Sequence, residues 1–410
     1  MDQAAQAAQA EPLFDPLSPT VIADPYPFYH RLRTIDPIHC SPLGFHVATR
    51  HADVSLVLRD KRFGKDFVGR MTRRHGAHIF DEPVYRSMRH WMLQQDPPDH
   101  TRLRRLVVQA FTARRVEDMR PRIQEIVDQT LDRIIPQGKM DLIEDYAFRL
   151  PVTIICDMLG IPEEHREMFY KGSRDGGRIL DPVPLTLQEI AAANASGAMA
   201  RMYFEQLFEL RRRNPGDDLT SQLVQAEEAG DKLSNEELAA NIVLLFGAGH
   251  ETTVNLIGNG LLALYRNPDQ LALLKANPSL MSNAIEEFLR YDSSVQMTGR
   301  VALEDIEDLG GKRIPKGESV LCLLGSANRD PAVYPDRPDQ LDIRRPNVRP
   351  LSFGGGIHFC LGAQLARIEA EIAISTLLRR LPELRLDDAA NPEWRPTFVL
   401  RGLKRLPASW

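Results

Sequence analysis

Apolar residues recur at three- and four-residue spacing through most of the chain, while two-residue alternation is confined to short stretches near the start and after residue 300. The pattern predicts a short helix over 28–34, a strand at Phe45–Ala48 and a helix over 52–58. Residues 64–92, rich in Arg, His, Gly and Met, read as irregular, and Asp96-Pro97-Pro98-Asp99 punctuates the chain before a helix from His100. Helices then dominate, at 101–111, 117–135, 144–159, 163–173, 186–213, 218–228, 235–266, 268–274, 280–290 and 361–378. Strand-like pieces return at 300–302, Ile314 and 319–324, and a proline-punctuated connection over 328–349 is long enough to suggest a function. The expected fold class is mainly α with small β-sheets.

The run over 235–266 stands out. Ser234-Asn235-Glu236-Glu237 has the form of a capping box, and about 30 proline-free residues follow, which gives a helix of roughly 45 Å. Near its middle lies Gly247-Ala248-Gly249-His250-Glu251-Thr252-Thr253. Each interior glycine costs a helix about 1 kcal/mol relative to alanine, so either tight helix packing or close approach of a ligand must offset it. The Thr252 hydroxyl can open the local ladder by bonding a preceding carbonyl.

With 43% apolar residues in 410, the chain can build a core that encloses a cofactor, and no linker or charge run divides it. A loose tail over 1–18 and a single domain over 19–410 are expected. A net charge of −5 argues against a general nucleic-acid binder. No apolar run is long enough to span a bilayer, so a cytoplasmic protein without membrane attachment is expected. Cys40, Cys156, Cys322 and Cys360 lack Cys-x-x-Cys spacing, which suits a reducing compartment and offers no zinc site.

Phe353-Gly354-Gly355-Gly356-Ile357-His358-Phe359-Cys360-Leu361-Gly362 places one cysteine on a glycine-rich loop just before a helix. A thiolate is favoured there by free backbone N–H groups and the helix dipole, although a lone cysteine among apolar residues is commonly an inert core residue. A phosphate loop would end in Gly-Lys-Ser/Thr, which is absent. Taken together, Phe353, Gly356, His358, Cys360 and Gly362 resemble the haem-binding signature of the cytochrome P-450 superfamily.

The resemblance covers nearly all the chain beyond residue 20, and the soluble bacterial branch is the best match. It implies haem b between the long helix and a loop whose Cys360 is the axial ligand of the iron, with Phe353, Gly362 and Ala248 at the cofactor. His100 and Arg104, four apart on one helix face, match propionate-binding positions, as do Arg300 and His358. Glu251 and Thr252 match the acid–alcohol pair that relays protons during oxygen activation. Glu287 and Arg290 match the Glu-x-x-Arg element that braces the connection before the cysteine loop, with Arg345 as the expected third member; Leu341 stands where an aromatic residue is common.

The implied activity is monooxygenation, by hydroxylation or epoxidation, of a small apolar substrate, free or carrier-bound. Electrons would come from a ferredoxin or flavodoxin with its reductase, to a monomer that binds no nucleic acid. Arg102, Arg105, Arg344, Arg345, Arg349 and Arg367 are either a dock for that acidic donor or an ordinary solvated face. Phe80, Met92, Leu244, Ala248, Val295 and Phe398 are candidates for the substrate pocket, with core packing the equal alternative for each. Arg73 and Arg74 either meet a carboxylate or a carrier's phosphopantetheine arm, or are bystanders. Two rival functions remain: a peroxide-driven haem-thiolate peroxygenase, and a haem or gas-binding protein without turnover.

Overall fold

A computed structural model describes residues 13–172, 176–228 and 233–410. The long helix runs Asn235–Arg266 as its pattern requires; the Ser234 hydroxyl accepts from Glu237 N–H, and the Glu237 carboxylate accepts from Ser234 N–H in return. Its apolar residues are buried on nearly every side because four helices surround it: Arg149–Leu159, Leu187–Arg213, Met281–Tyr291 and Ala363–Arg380. Ile154, Phe204, Ile257, Phe288 and Ile374 belong to the single large apolar core that results.

Beside this helical body lies a five-stranded sheet in the order Ile38–Ser41, Phe45–Ala48, Ser319–Leu323, Met297–Ala302 and Phe63–Gly64. Phe45–Ala48 pairs parallel to Ser319–Leu323 with Val47 opposite Leu321, and Met297–Ala302 runs antiparallel with Arg300 opposite Val320. All four residues of Phe45–Ala48 are buried, since both faces of the sheet are covered. Val54, Val57 and Leu58 of the helix His51–Arg59 pack on one face, and Tyr29, Leu32 and Phe398 on the other.

Several expectations need correction. Residues 64–92 are not irregular: they hold the helices Phe67–His75 and Pro83–Met88, whose Phe67, Met71, Tyr85 and Met88 bury one another in a separate apolar cluster. The arginines and histidines between them are exposed or half-buried on short helices, which hid the period. The tail over 1–18 is not loose at its end, because Phe14 is only 3% exposed and packs edge-on against Phe45 and Phe398; residues 1–12 lie outside the described residues. The helix over 144–159 is two pieces, a π-helical turn Leu142–Ala147 capped by Asp141 and then Arg149–Leu159. Short strands at Ile38–Ser41, Lys139–Asp141, Ile306–Leu309, Arg385–Leu386 and Pro407–Ser409 carried too few residues to show alternation.

The long connection after residue 328 is fixed by an ion triad. Glu287 and Arg290, both fully buried, pair at 2.7 Å, and Arg345 reaches the same carboxylate at 3.3 Å. Both guanidinium groups also donate to carbonyls of the connection, Arg290 to Pro338 and Gln340, and Arg345 to Arg337 and Gln340. The expected third member is therefore in place despite Leu341, which is simply buried in the core. The triad holds the segment that leads into the cysteine loop.

Candidate active site

A cavity of about 1500 Å³ opens between the long helix and the loop that carries Cys360. Apolar ligand pockets usually measure about 300–1,000 Å³, so this one has room for a flat macrocycle and a second molecule. Gly247, Ala248, Glu251 and Thr252 line it from the helix; Phe353, His358, Cys360 and Gly362 line it from the loop. His100, Arg104 and Arg300 line it from the helix Asp99–Val108 and the strand Met297–Ala302. The structure thus gathers every expected cofactor and catalytic residue around one space.

Local backbone chemistry sets the loop. Cys360 N–H donates to the Phe353 carbonyl (2.9 Å), closing the loop on itself three residues before the helix Ala363–Arg380 begins. Gly356 has a φ of +65°, and a Cβ there would lie 2.3 Å from the Leu58 carbonyl oxygen, so no other residue fits. The close approach made by this glycine is to the helix His51–Arg59. At Gly362 an added Cβ would meet nothing within 4 Å, which leaves the space beside the sulfur clear.

Cys360 is exposed to the cavity, yet enclosed by protein. Burial raises its thiol pKa, against the opposing pull of a hydrogen bond from Gly362 N–H and of the Arg104 and Arg367 guanidinium groups. The expected thiolate stabilisation at the helix start is thus present as a contribution but does not prevail over burial. A metal cation against the sulfur would reverse that balance.

The polar side of the cavity is a concentration of cationic groups. Arg300 is buried, with hydrogen bonds to the Gly299 carbonyl (2.9 Å) and Thr298 (3.5 Å). The rings of His100 and His358 lie 4.3 Å apart, and both Nε2 atoms are buried without a partner. Burial lowers the His100 pKa to about 4, helped by Arg104, and that of His358 to about 2, helped by Lys65 and Arg300. Arg104 donates to the Phe359 carbonyl (2.7 Å) and so also holds the cysteine loop.

Lys65 belongs to this group and was not anticipated. It is buried, its ammonium donates to the Gly299 carbonyl (3.1 Å), and burial beside Arg300 and Arg70 depresses its pKa well below the usual value. Asp96 holds its backbone, accepting from Lys65 N–H at 2.8 Å. Nothing in the run Phe63-Gly64-Lys65 separates such a lysine from a surface one. Unpartnered imidazoles and buried cations around a space of this size fit two propionates, with Cys360 Sγ placed for the iron; these residues fit haem.

On the long helix, Thr252 Oγ1–H donates to the Ala248 carbonyl (3.0 Å), the back-bond expected from its spacing. Gly247 faces open space, but Gly249 does not: a Cβ there would stand 3.0 Å from Ile155 of Arg149–Leu159. One glycine leaves the cavity free and the other serves helix packing, so each explanation is right for one residue.

Of the pocket candidates, Met92, Leu244, Ala248 and Val295 line the cavity, whereas Phe80 and Phe398 do not. Phe80 packs edge-on against Phe67, and Phe398 packs between Phe14 and Tyr29. Arg73 and Arg74 reach the cavity rim already engaged, Arg73 with Asp66 (2.8 Å) and Arg74 with the Pro182 carbonyl (3.0 Å). Among the arginines proposed as a dock, Arg345 is withdrawn because it is buried in the triad, and Arg102 and Arg367 bond Glu237 and Glu286. Arg105, Arg344 and Arg349 remain exposed.

A family model described as "Cytochrome P450" matches residues 178–400, more than half of the chain. "Cytochrome P450 107B1" of Saccharopolyspora erythraea is 45% identical over 388 residues, covering 92% of this chain and 91% of that protein. "Cytochrome P450 monooxygenase PikC" of Streptomyces venezuelae is 44% identical, covering 95% and 91%. Among solved structures, P450BioI in complex with a hexadec-9Z-enoic acid ligated acyl carrier protein superposes with a TM-score of 0.88 at 40% identity, over 96% of this chain and 100% of that one.

Proposed function

The chain belongs to the cytochrome P450 family and is a haem-dependent monooxygenase, and we propose that it inserts one oxygen atom of dioxygen into an apolar small molecule, with electrons from separate redox proteins. The observation that carries this reading is the shared cavity, with Cys360 on one wall, Ala248 and Thr252 on the other, and buried cations at its side. Haem, when bound, supplies the redox chemistry that activates dioxygen.

Cys360 would hold the iron; Arg300, Lys65, His100, His358 and Arg104 would take the propionates. Two carboxylates on that side would pair with the arginine and lysine cations and accept hydrogen bonds from the imidazoles, which are neutral at pH 7. Thr252 would hold and deliver a proton at its Oγ1: it lines the cavity, and its hydroxyl would leave the Ala248 carbonyl to donate inward. Glu251, half-buried beside it, would restore that proton. Leu244, Met92 and Val295 form an apolar wall that excludes water and favours an apolar substrate.

An acidic ferredoxin or flavodoxin is the proposed electron source, and exposed Arg105, Arg344 and Arg349 support it by charge. The acyl-carrier complex of P450BioI supports an acyl chain as a substrate class, free or on a carrier. Among the described residues no helix is long and apolar enough to cross a membrane.

Replacing Cys360 by serine tests the reading at its root. The purified variant should lose the thiolate-dependent spectrum of the reduced carbon-monoxide complex together with oxidising activity. Retention of both would end the proposal.

A further inference from the structure

The helix Phe67–His75 brings to the cavity wall an arginine that none of the steps above uses. Arg70 has no carboxylate or carbonyl partner for its guanidinium among the described residues, and its Nε is buried without any hydrogen bond. The neighbouring arginines differ. Arg73 is paired with Asp66 and donates to the Gly317 carbonyl, and Arg74 donates to the Pro182 carbonyl.

Asp66 is the nearby carboxylate, and Arg73 already holds it. Arg70 rests over the Phe67 ring, 5.5 Å from its centroid, with one terminal nitrogen 3.6 Å from where a Gly299 side chain would start. Side chains alternate along a strand, so Gly299 and Arg300 address opposite faces of Met297–Ala302. Arg70 therefore approaches that strand from the face opposite Arg300, with Lys65 nearby. Burial and the charges of Arg73 and Arg74 lower its pKa to about 10, which leaves it protonated at neutral pH.

An unpaired, largely desolvated guanidinium is costly unless an anion completes it. We propose that Arg70 binds a carboxylate on the substrate, so that the enzyme oxidises apolar molecules carrying one acidic group, such as long-chain acids. Its planar fork matches a carboxylate in two hydrogen bonds, while Met71, Met88, Leu244 and Val295 accommodate the apolar remainder. This inference rests on the monooxygenase reading and deepens it.

The test compares dodecanoic and hexadecanoic acids with their methyl esters and primary amides, by spin-state titration and calorimetry on the haem-loaded protein. Acids should bind about tenfold or more tighter than their amides, as a charged hydrogen-bonded pair implies. Arg70→Gln should bring that ratio close to one, and Arg70→Lys should keep part of it. The ligand-free Arg70→Gln protein should melt no lower than the parent, because an uncompensated charge has been removed; a merely structural arginine would lower the melting point. A ratio near one in the parent, or one that survives in Arg70→Gln, overturns the proposal. Should Arg70→Gln fail to fold, the parent ratio and Arg70→Lys still decide. The reduced carbon-monoxide spectrum of each variant reports separately on the haem-thiolate reading.

Discussion

Thr252 holds its hydroxyl on a carbonyl that belongs to its own helix, so the group is stored near the chemistry rather than committed to another residue. Removing it should slow dioxygen-dependent product formation by about 10²-fold, the lower end for a lost proton donor. Thr252→Ala should leave substrate affinity unchanged, because no binding surface is lost. Undiminished turnover of that variant with peroxide alone, in a parent that also needs no electron donor, would favour the peroxygenase alternative. A different residue governs pH response. Glu369 is buried on Ala363–Arg380, one carboxyl oxygen has no partner, and burial raises its pKa well above the usual value. Its unfolded pKa is about 4.3. Above that pH the unfolded chain has released a proton that the folded one keeps, so stability falls as pH rises. Glu369→Gln should melt above the parent at neutral pH and converge with it below about pH 4. Thermal scans across that range check it, and a constant offset at every pH would refute the account.

Between helices, Gly249 is where packing and cofactor clearance meet. Gly249→Ala would press a methyl group on Ile155 and should cost about 1–3 kcal/mol by overpacking. Ile155→Val removes a methyl from the same contact, so the double variant should recover part of the loss, which a double-mutant cycle of denaturant unfolding measures. Glu287→Gln should do more harm. It leaves two buried guanidinium groups facing one neutral amide, at a cost of about 3–5 kcal/mol, and hydrogen exchange should rise across 335–349 first. These elements also show what the sequence carried. The long helix was legible to its last residue because a capping box and an uninterrupted apolar pattern agreed, and Arg345 was found because Glu287 and Arg290 precede it in the expected order. Phe67–His75 was missed because most of its residues are polar and its apolar ones are buried in a small cluster of their own. Lys65 and Arg70 were missed for a related reason: their burial comes from the strand Met297–Ala302, more than 200 residues away, and composition cannot signal it.

At the scale of the molecule, the cavity separates two cores, one helical and one built on the sheet, and its walls come from both. Lys65, Arg300, His100 and His358 meet there, where two propionates would partner them. The haem-free protein should therefore be least stable along that seam. A ligand that binds only the folded state stabilises it in proportion to the logarithm of its concentration over Kd, so tightly held haem should raise the melting point substantially. The gain should be localised. Hydrogen exchange in the haem-free protein should quicken in Asp99–Val108, in Met297–Ala302 and in the loop before Cys360, while Asn255 to Arg266 and the strands around Val47 stay protected. Arg300→Gln in the loaded protein should reproduce a fraction of that loosening and speed haem transfer to an acceptor globin by about tenfold, since a charge-assisted hydrogen bond contributes about 1.5–3 kcal/mol. If haem removal instead loosened the long helix over its whole length, the seam would not be the weak plane, and the cations at its edge would have to be read as structural.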